Sequence, residues 1–256
     1  MQPVAQPKKL ERDELLERLV ASISHRPRDA MEATRVKREA EQLMVSDRQG
    51  ALQVLGMVAA VKYEVEEIKM HYEQAMSLSP TTTTLRNYAL SQNIAYNMQK
   101  AWELSLDLFK ADPSNPKNLD RAISYSGTSG NLHEQLRLID DEWSKRNPGK
   151  EHPSRKLVAA AVSILKKNSI SDDQFAKYLD LAHGVIRRHK LDIEQSVLAV
   201  YEVPGTLEAV SINLEVQKNA VELSWELWEE KAGREDIIES DALIIAFTTS
   251  DADQAH

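Results

Sequence analysis

Apolar residues recur at helical spacing from Leu10 to about Ile23, where Leu15, Leu16, Leu19, Val20 and Ile23 predict an amphipathic helix. Asp13 and Glu14 sit in its first turn, where the helix dipole favours acids. Pro27 interrupts the pattern, and a second, more polar helix is predicted from Arg28 to about Val45. Three helix-forming stretches then each close on a proline: Pro80, Pro113 and Pro148, spaced 33 and 35 residues apart. A fourth helix pair is expected over Ser154–Lys190. Its first half, "SRKLVAAAVSILKK", is amphipathic. Its second, "SDDQFAKYLDLAHGVIRRHK", opens on a serine cap with acids and ends on Arg187, Arg188 and Lys190, as the dipole prefers.

After Leu191 the period changes from helical to alternating. "SVLAVYEVPGTLEAVSINLEV" predicts a hairpin around Pro204-Gly205, a pair that suits a type II turn. Ile212, Leu214 and Val216 face one way; Ser211, Asn213 and Glu215 face the other. "ALIIAFTTS" reads as a buried strand. Between them, "NAVELSWELWEEKAGRED" fits two patterns. Val221, Leu223, Trp225 and Leu227 alternate as in a strand, while Val221, Trp225, Trp228 and Ala232 share a helix face. The Glu/Lys content and Gly233 as a stop favour helix, with strand as the alternative. The expected architecture is mostly α, a helix-turn-helix solenoid over residues 1–190 with a small mixed α/β appendix (β-β-α-β) over 191–250. A disordered tail is expected over 251–256.

The clearest repeat is "ALQVLGMVAAVKYEVEEIKMHYEQAMSLSP". Its residues resemble the tetratricopeptide repeat, an approximately 34-residue helix–turn–helix with W-x2-L-G-x2-Y on helix A and A-x3-F, then P, on helix B. Leu52 takes the Trp place, Leu55-Gly56 match the Leu-Gly pair, and Ala59 stands for the Tyr. Ile68 stands for the first Ala, Tyr72 for the Phe, Ala75 for a second small residue, and Pro80 closes the unit. Gly56 is expected to let two helices approach, and Tyr72 to fill the gap between them. A second unit aligns Leu85, Tyr88 and Ala89 on helix A and Ala101, Leu108 and Pro113 on helix B, with Ser105 in place of the aromatic. A third, weaker unit has Leu119, Ala122, a turn at Gly130-Asn131 and Pro148, with Gln135 at the small position. The resemblance covers units at about 49–81, 82–115 and 116–150.

Such arrays use a concave, helix-A face to hold a partner protein or peptide, so the resemblance implies a scaffold or adaptor. Some members grip a C-terminal carboxylate with Lys, Asn and Arg at set helix-A places. Here Asn87, Lys117 and Arg121 match, but the first-repeat places are Gln53 and Met57, so the clamp is incomplete. Arg86, Asn87, Asn93, Asn97, Lys117 and Arg121 together predict a polar, cationic groove suited to an acidic peptide.

Charge adds a second theme. The chain carries a net −8, which argues against a general nucleic-acid binder. Residues 191–256 hold three basic and fifteen acidic residues, a field that would attract a basic partner. An immunity-type protein neutralising a basic toxin through this acidic domain is therefore an alternative function. An enzyme with a non-motif active site in the same region is a second. The absence of cysteine excludes disulfides, thiolate metal sites and cysteine nucleophiles. The N-terminal stretch has no apolar core of a signal peptide, and no apolar run is long enough to span a bilayer, so a cytoplasmic protein without membrane contact is expected. Oligomeric state stays open.

Little else points to chemistry. "YSGTSGN", Tyr125 to Asn131, follows a helix and lacks a Gly-Lys-Ser/Thr, so it is expected to link two helices and not to cradle phosphate. His183 and His189 are six apart, on different helix faces, and are expected to be solvated. "RRHK" reads as an ordinary basic helix end, and Glu226, Glu229 and Glu230 as the wet side of a helix. Trp225 and Trp228 are most simply core residues; exposed, they would be a binding anchor. No metal, no cofactor and no catalysis are expected.

Overall fold

The computed structural model describes residues 11–24, 28–203 and 207–249. Pro27, the Pro204-Gly205 turn and the expected disordered tail lie outside them. The chain divides into two compact units, Met1–Ala95 and Tyr96–His256. The expected change at Leu191 falls inside the second, where helix gives way to strand.

The first unit is helical: α1 (Arg12–Ser24), α2 (Ala30–Leu43), α3 (Arg48–Val61), α4 (Val65–Leu78) and α5 (Thr82–Ile94). Each helix packs on the next in sequence, as in a helical-repeat array. Three starts are fixed by side-chain caps, Asp29 on the Met31 and Glu32 amides, Asp47 on Gly50 and Thr81 on Thr84. After Arg48 the sequence of α3 has no charge, and Gly50–Val61 are buried on every side because α1, α2, α4 and α5 all pack on it. The α3–α4 contact is keyed by one glycine and one ring. A Cβ on Gly56 would stand 2.4 Å from Tyr72 Cε2. Tyr72 is fully buried, stacks on Tyr88 at 4.9 Å between centroids, and its hydroxyl accepts from Ser91 Oγ at 2.9 Å. Ile68 and Ala75 are equally buried. Arg28 closes the other end: it donates to the carbonyls of Ala60 and Ile94, at the ends of α3 and α5, and lies 4.0 Å over the Tyr63 ring.

The second unit begins with α6 (Met98–Ala111) and α7 (Pro116–Thr128). A broken helix follows: α8 (Leu132–Arg137), a π-turn (Leu138–Trp143) and α9 (Ser144–Arg146). Leu119, Ala122 and Ile123 of α7 form a core with Leu138 and Ile139. An i→i+5 turn holds one residue more than an α-turn. This one lies between Pro113 and Pro148, whose spacing is 35 where the preceding one is 33, and so takes up one of the two additional residues. The "YSGTSGN" stretch ends α7 and turns into α8 as expected, with Gly130 at φ 87° and a Cβ there only 2.9 Å from the Ala176 backbone.

Next come α10 (Arg155–Lys167) and α11 (Asp172–His189), the latter opened by a full capping box at Ser171 and Gln174. Asp172, in its first turn, also accepts from the His133 and Glu134 amides and so caps α8 from outside. The appendix has the expected β-β-α-β order: β1 (Ile193–Val203), β2 (Leu207–Val216), α12 (Ala220–Ala232) and β3 (Leu243–Thr248). In the sheet β2 is central, antiparallel to β1 and parallel to β3, with α12 as the crossover. Leu198, Ile212 and Ile245 lie in one row, as do Val200, Val210 and Leu243. That apolar side meets α10, α11 and α12. No helix among the described residues is long and apolar enough to cross a membrane.

Candidate functional site

The six groove residues divide evenly between the two units. In the first, Arg86 is exposed, Asn93 is half-buried, and Asn87 donates to Gln53 Oε1 at 2.9 Å. Gln53 and Met57, the first-repeat clamp places, are 1% and 2% exposed, so this unit offers no ligand-facing clamp there. In the second, Asn97 caps the start of α6 by position, Lys117 is exposed, and Arg121 is half-buried. Arg121 lies beside Tyr125; burial pushes that phenol up, and the guanidinium opposes it. Arg121 Nη1 is buried and has no hydrogen-bond partner among the described residues.

Lys117, Asp120, Arg121 and Ser124 follow one another at i, i+3, i+4 and i+7 and therefore share the outer stripe of α7. Against part of that stripe lies a cleft of about 360 Å³, lined by α7, α8, α10 and the first two strands. Its apolar wall includes Leu132, Val158 and Ile212, all buried. Asp120, Gln135 and His152 are among its polar groups. The His152 ring packs edge-on to Trp143, and its Nδ1 accepts from the Ser154 amide, which leaves the proton of the neutral ring on Nε2. Burial lowers its pKa, against the pull of Asp120. The local sequence of α7 gives no sign of this cleft, because one wall comes from Ser196, Leu198 and Ile212, 68 residues or more beyond the end of α7.

The second feature is on α12. Ala220, Leu223 and Leu227 are buried against the sheet and α11. Trp225 and Trp228, expected in the core, instead lie on the outer side at 61% and 60% exposure, with Val221 at 67%. Helix α12 carries two apolar stripes, and the one with small and aliphatic residues fits closely against the sheet. The two indoles stand edge to face, 5.8 Å apart. With Val221 and Phe247 they line an apolar hollow of about 510 Å³. Trp228 also borders a second hollow with Glu239 and Asp241. Among the described residues, Glu222, Glu229, Glu239 and Asp241 make no ion pair.

Two features expected to be solvated are in fact paired with each other. Arg188 reaches Glu226 at 2.8 Å and also Glu230, and His189 Nε2 meets Glu226 at 2.6 Å. Burial raises the Glu226 pKa, but Arg188 and His189 outweigh it and hold the carboxyl below its usual range. Arg187 donates to the Tyr96 carbonyl. The basic end of α11 is thus a clasp for α12 and for the start of the unit. His183, also expected to be solvated, is 2% exposed and stacks on Tyr96. Burial, with Arg187 nearby, pulls its pKa down to about 3. No group of three or more metal-ligating side chains stands together among the described residues. In comparisons with known proteins the chain matches no family model, no curated protein and no solved structure.

Proposed function

We propose that this chain is a cytoplasmic protein-interaction module, built on a tetratricopeptide-type helical array, that docks a basic segment of a partner protein on the outer side of α12. The exposure of Trp225 and Trp228 carries the proposal. Tryptophan is the residue most enriched at binding hot spots, and two exposed together are costly to keep in water. Their surroundings favour a cationic partner. Trp228 is shared between the apolar hollow and a second one lined by Glu239 and Asp241 together with Lys231, so an apolar anchor followed by Lys or Arg would satisfy both. A basic toxin or nuclease is one protein of that kind. Binding, not catalysis, is the activity proposed.

The outer stripe of α7 supports a second reading, the adaptor that holds a peptide on its helix-A side, because Lys117 and Arg121 share that stripe with Asp120 and Ser124, which line a cleft. One experiment separates the two. The full chain is used to capture and identify a partner by crosslinking, and the purified pair is then measured by calorimetry. Replacement of both tryptophans by serine is expected to weaken binding at least about thirtyfold, the size of one hot-spot loss. The double change Glu239→Lys/Asp241→Lys is expected to weaken it and flatten its salt dependence. A partner that binds both variants like the parent, but loses affinity for Lys117→Glu/Arg121→Glu, refutes the α12 surface in favour of α7.

A further inference from the structure

The three-stranded sheet has one closed edge and one open edge. On the β3 side α12 covers the edge: the Phe247 N–H donates to Ser224 Oγ at 3.2 Å, and the Ser224 hydroxyl donates to the Phe247 carbonyl at 3.4 Å. On the other side lies β1, eleven residues long. Which of its backbone groups are free follows from β2. The Val210 N–H donates to the Ala242 carbonyl, toward β3. Val200, opposite Val210, is therefore in a non-hydrogen-bonded pair, and the register is unbroken from Gln195 onward. Ser196, Leu198 and Val200 thus turn their N–H and C=O groups away from β2, and these groups meet no other partner among the described residues. Gln195, Ser196 and Val197 are exposed. Edge strands are ordinarily blunted by lysine, proline or a bulge. Here the bulge lies at the start, between Ile193 and Gln195, and Gln195–Tyr201 has neither proline nor charge.

The same strand walls the α7 cleft, which Ser196 and Leu198 line from the helix side of the sheet. A strand added to β1 would lie about 4.8 Å from it, and its residues opposite Ser196 and Leu198 would direct their side chains to that same side. Leu132, Leu157 and Val158 give the cleft aliphatic wall. Its one acid, Asp120, is exposed and shares its stripe with Lys117 and Arg121, so the cleft favours an uncharged side chain. Charge also selects the occupant. Residues 191–256 hold three basic and fifteen acidic residues, so two copies paired edge to edge would repel. Between Lys190 and Lys218 stand five acids and no Lys or Arg, and one of the five, Glu208, is paired with Lys167. A segment with basic ends complements that hairpin.

We propose that β1 and the α7 cleft form a strand-docking groove. An extended segment of a partner protein adds antiparallel to the free edge, places two aliphatic side chains, two residues apart, in the cleft, and carries Lys or Arg at its ends. Main-chain hydrogen bonds supply the affinity of such pairing and the cleft its specificity. The groove is a surface separate from that of α12.

The probe is the peptide acetyl-Lys-Thr-Leu-Thr-Leu-Thr-Lys-amide, titrated into the isotope-labelled full chain and read by calorimetry and amide hydrogen exchange. Saturable binding is expected, with new protection at the Ser196, Leu198 and Val200 amides. N-methylation of both leucines, whose N–H groups would face β1, is expected to weaken binding at least about tenfold; N-methylation of the threonine between them, whose N–H would face away, is not. Glutamate in place of both lysines is expected to weaken it as well. Ser196→Pro removes a free N–H and no β1–β2 bond, and is expected to weaken the peptide at least about tenfold without unfolding the sheet. The Trp225→Ser/Trp228→Ser variant is expected to bind the peptide like the parent. Absence of saturable binding, binding without protection of those three amides, or equal binding of the peptide with N-methylated leucines would each overturn the proposal. Protection of the same amides that grows with protein concentration, without peptide, would assign the edge to a second copy and overturn the partner segment.

Discussion

Replacing Gly56 with alanine adds one methyl group at the point where α3 meets α4. In an unobstructed helix that change stabilises by about 1 kcal/mol, because glycine loses more backbone entropy on folding than alanine. Here the methyl would lie 2.4 Å from Tyr72 Cε2 and 2.7 Å from Cδ2, far inside van der Waals contact. The ring has nowhere to go. It is fully buried, stacked on Tyr88 at 8° between planes, and bonded to Ser91. Relief requires α3 and α4 to separate, an overpacking strain of about 1–3 kcal/mol. With the helix gain set against it, Gly56→Ala is expected to destabilise by about 1 kcal/mol, or roughly 4 °C in the melt.

The control is Gly184 on α11, where a Cβ would meet only the guanidinium ends of Arg187 and Arg188 at an ordinary contact distance of 3.6 Å. Gly184→Ala is expected to stabilise by about 0.5–1 kcal/mol. The same chemical change should thus act in opposite directions at two helical sites, read by urea unfolding with far-ultraviolet circular dichroism. In the Gly56→Ala background, Tyr72→Leu is expected to cost at least about 1 kcal/mol less than in the parent, since the two side chains compete for one space. If Gly56→Ala proves as stable as the parent, the keyed contact is wrong and the repeat-like packing of α3 on α4 loses its physical basis.

Two further outcomes test other parts of the fold. His183 has its folded pKa depressed to about 3 from an ordinary value of 6.5, so the unfolded chain binds its proton first as pH falls. Its contribution is therefore complete above about pH 6.5 and drains away toward pH 3, by at most about 1.4 kcal/mol per pH unit. His183→Phe, which keeps the stack on Tyr96, is expected to flatten the acid limb of stability between pH 6 and 4; an unchanged limb refutes this role. Deleting Asp141, an exposed residue of the π-turn, is expected to restore regular helix and shift the melt by no more than about 3 °C, the effect of less than 1 kcal/mol. Deleting Lys69 from regular α4 turns Tyr72 and Ala75 about 100° away from α3, and is expected to unfold the first unit.

Much of the fold was legible because its determinants are local. Ser171 with Gln174, the proline stops and the alternating apolar residues of β2 each act within a few residues, and each appears where the sequence implies it. The 33 and 35 spacing was visible too, but a π-turn leaves no residue signature, so its share in the longer spacing was not. The same holds for the pairing of "RRHK" with the acids of α12. Either stretch taken alone looks like a solvated helix surface. Only the docking of α12 beside the end of α11 makes Arg188 and Glu226 neighbours.

The tryptophans show why size and hydrophobicity do not assign a helix side. Helix α12 has one stripe of Ala220, Leu223 and Leu227 and another of Val221, Trp225 and Trp228. By transfer energy alone the second should be buried, since each indole offers more apolar area than a leucine. What decides is the space available. The helix crosses β3 closely enough for Ser224 Oγ to accept from the Phe247 amide at 3.2 Å. Alanine and leucine fit that separation and an indole does not. Burying the tryptophans would push α12 away from β3 and out of reach of Arg188 and His189, which pair with Glu226. The close fit against β3 therefore leaves the larger apolar stripe in water, and the exposed ion pairs add only about 0–1 kcal/mol each to that arrangement. A helix whose fit to its sheet keeps two indoles in water is a stronger sign of a docking surface than scattered exposed hydrophobic residues.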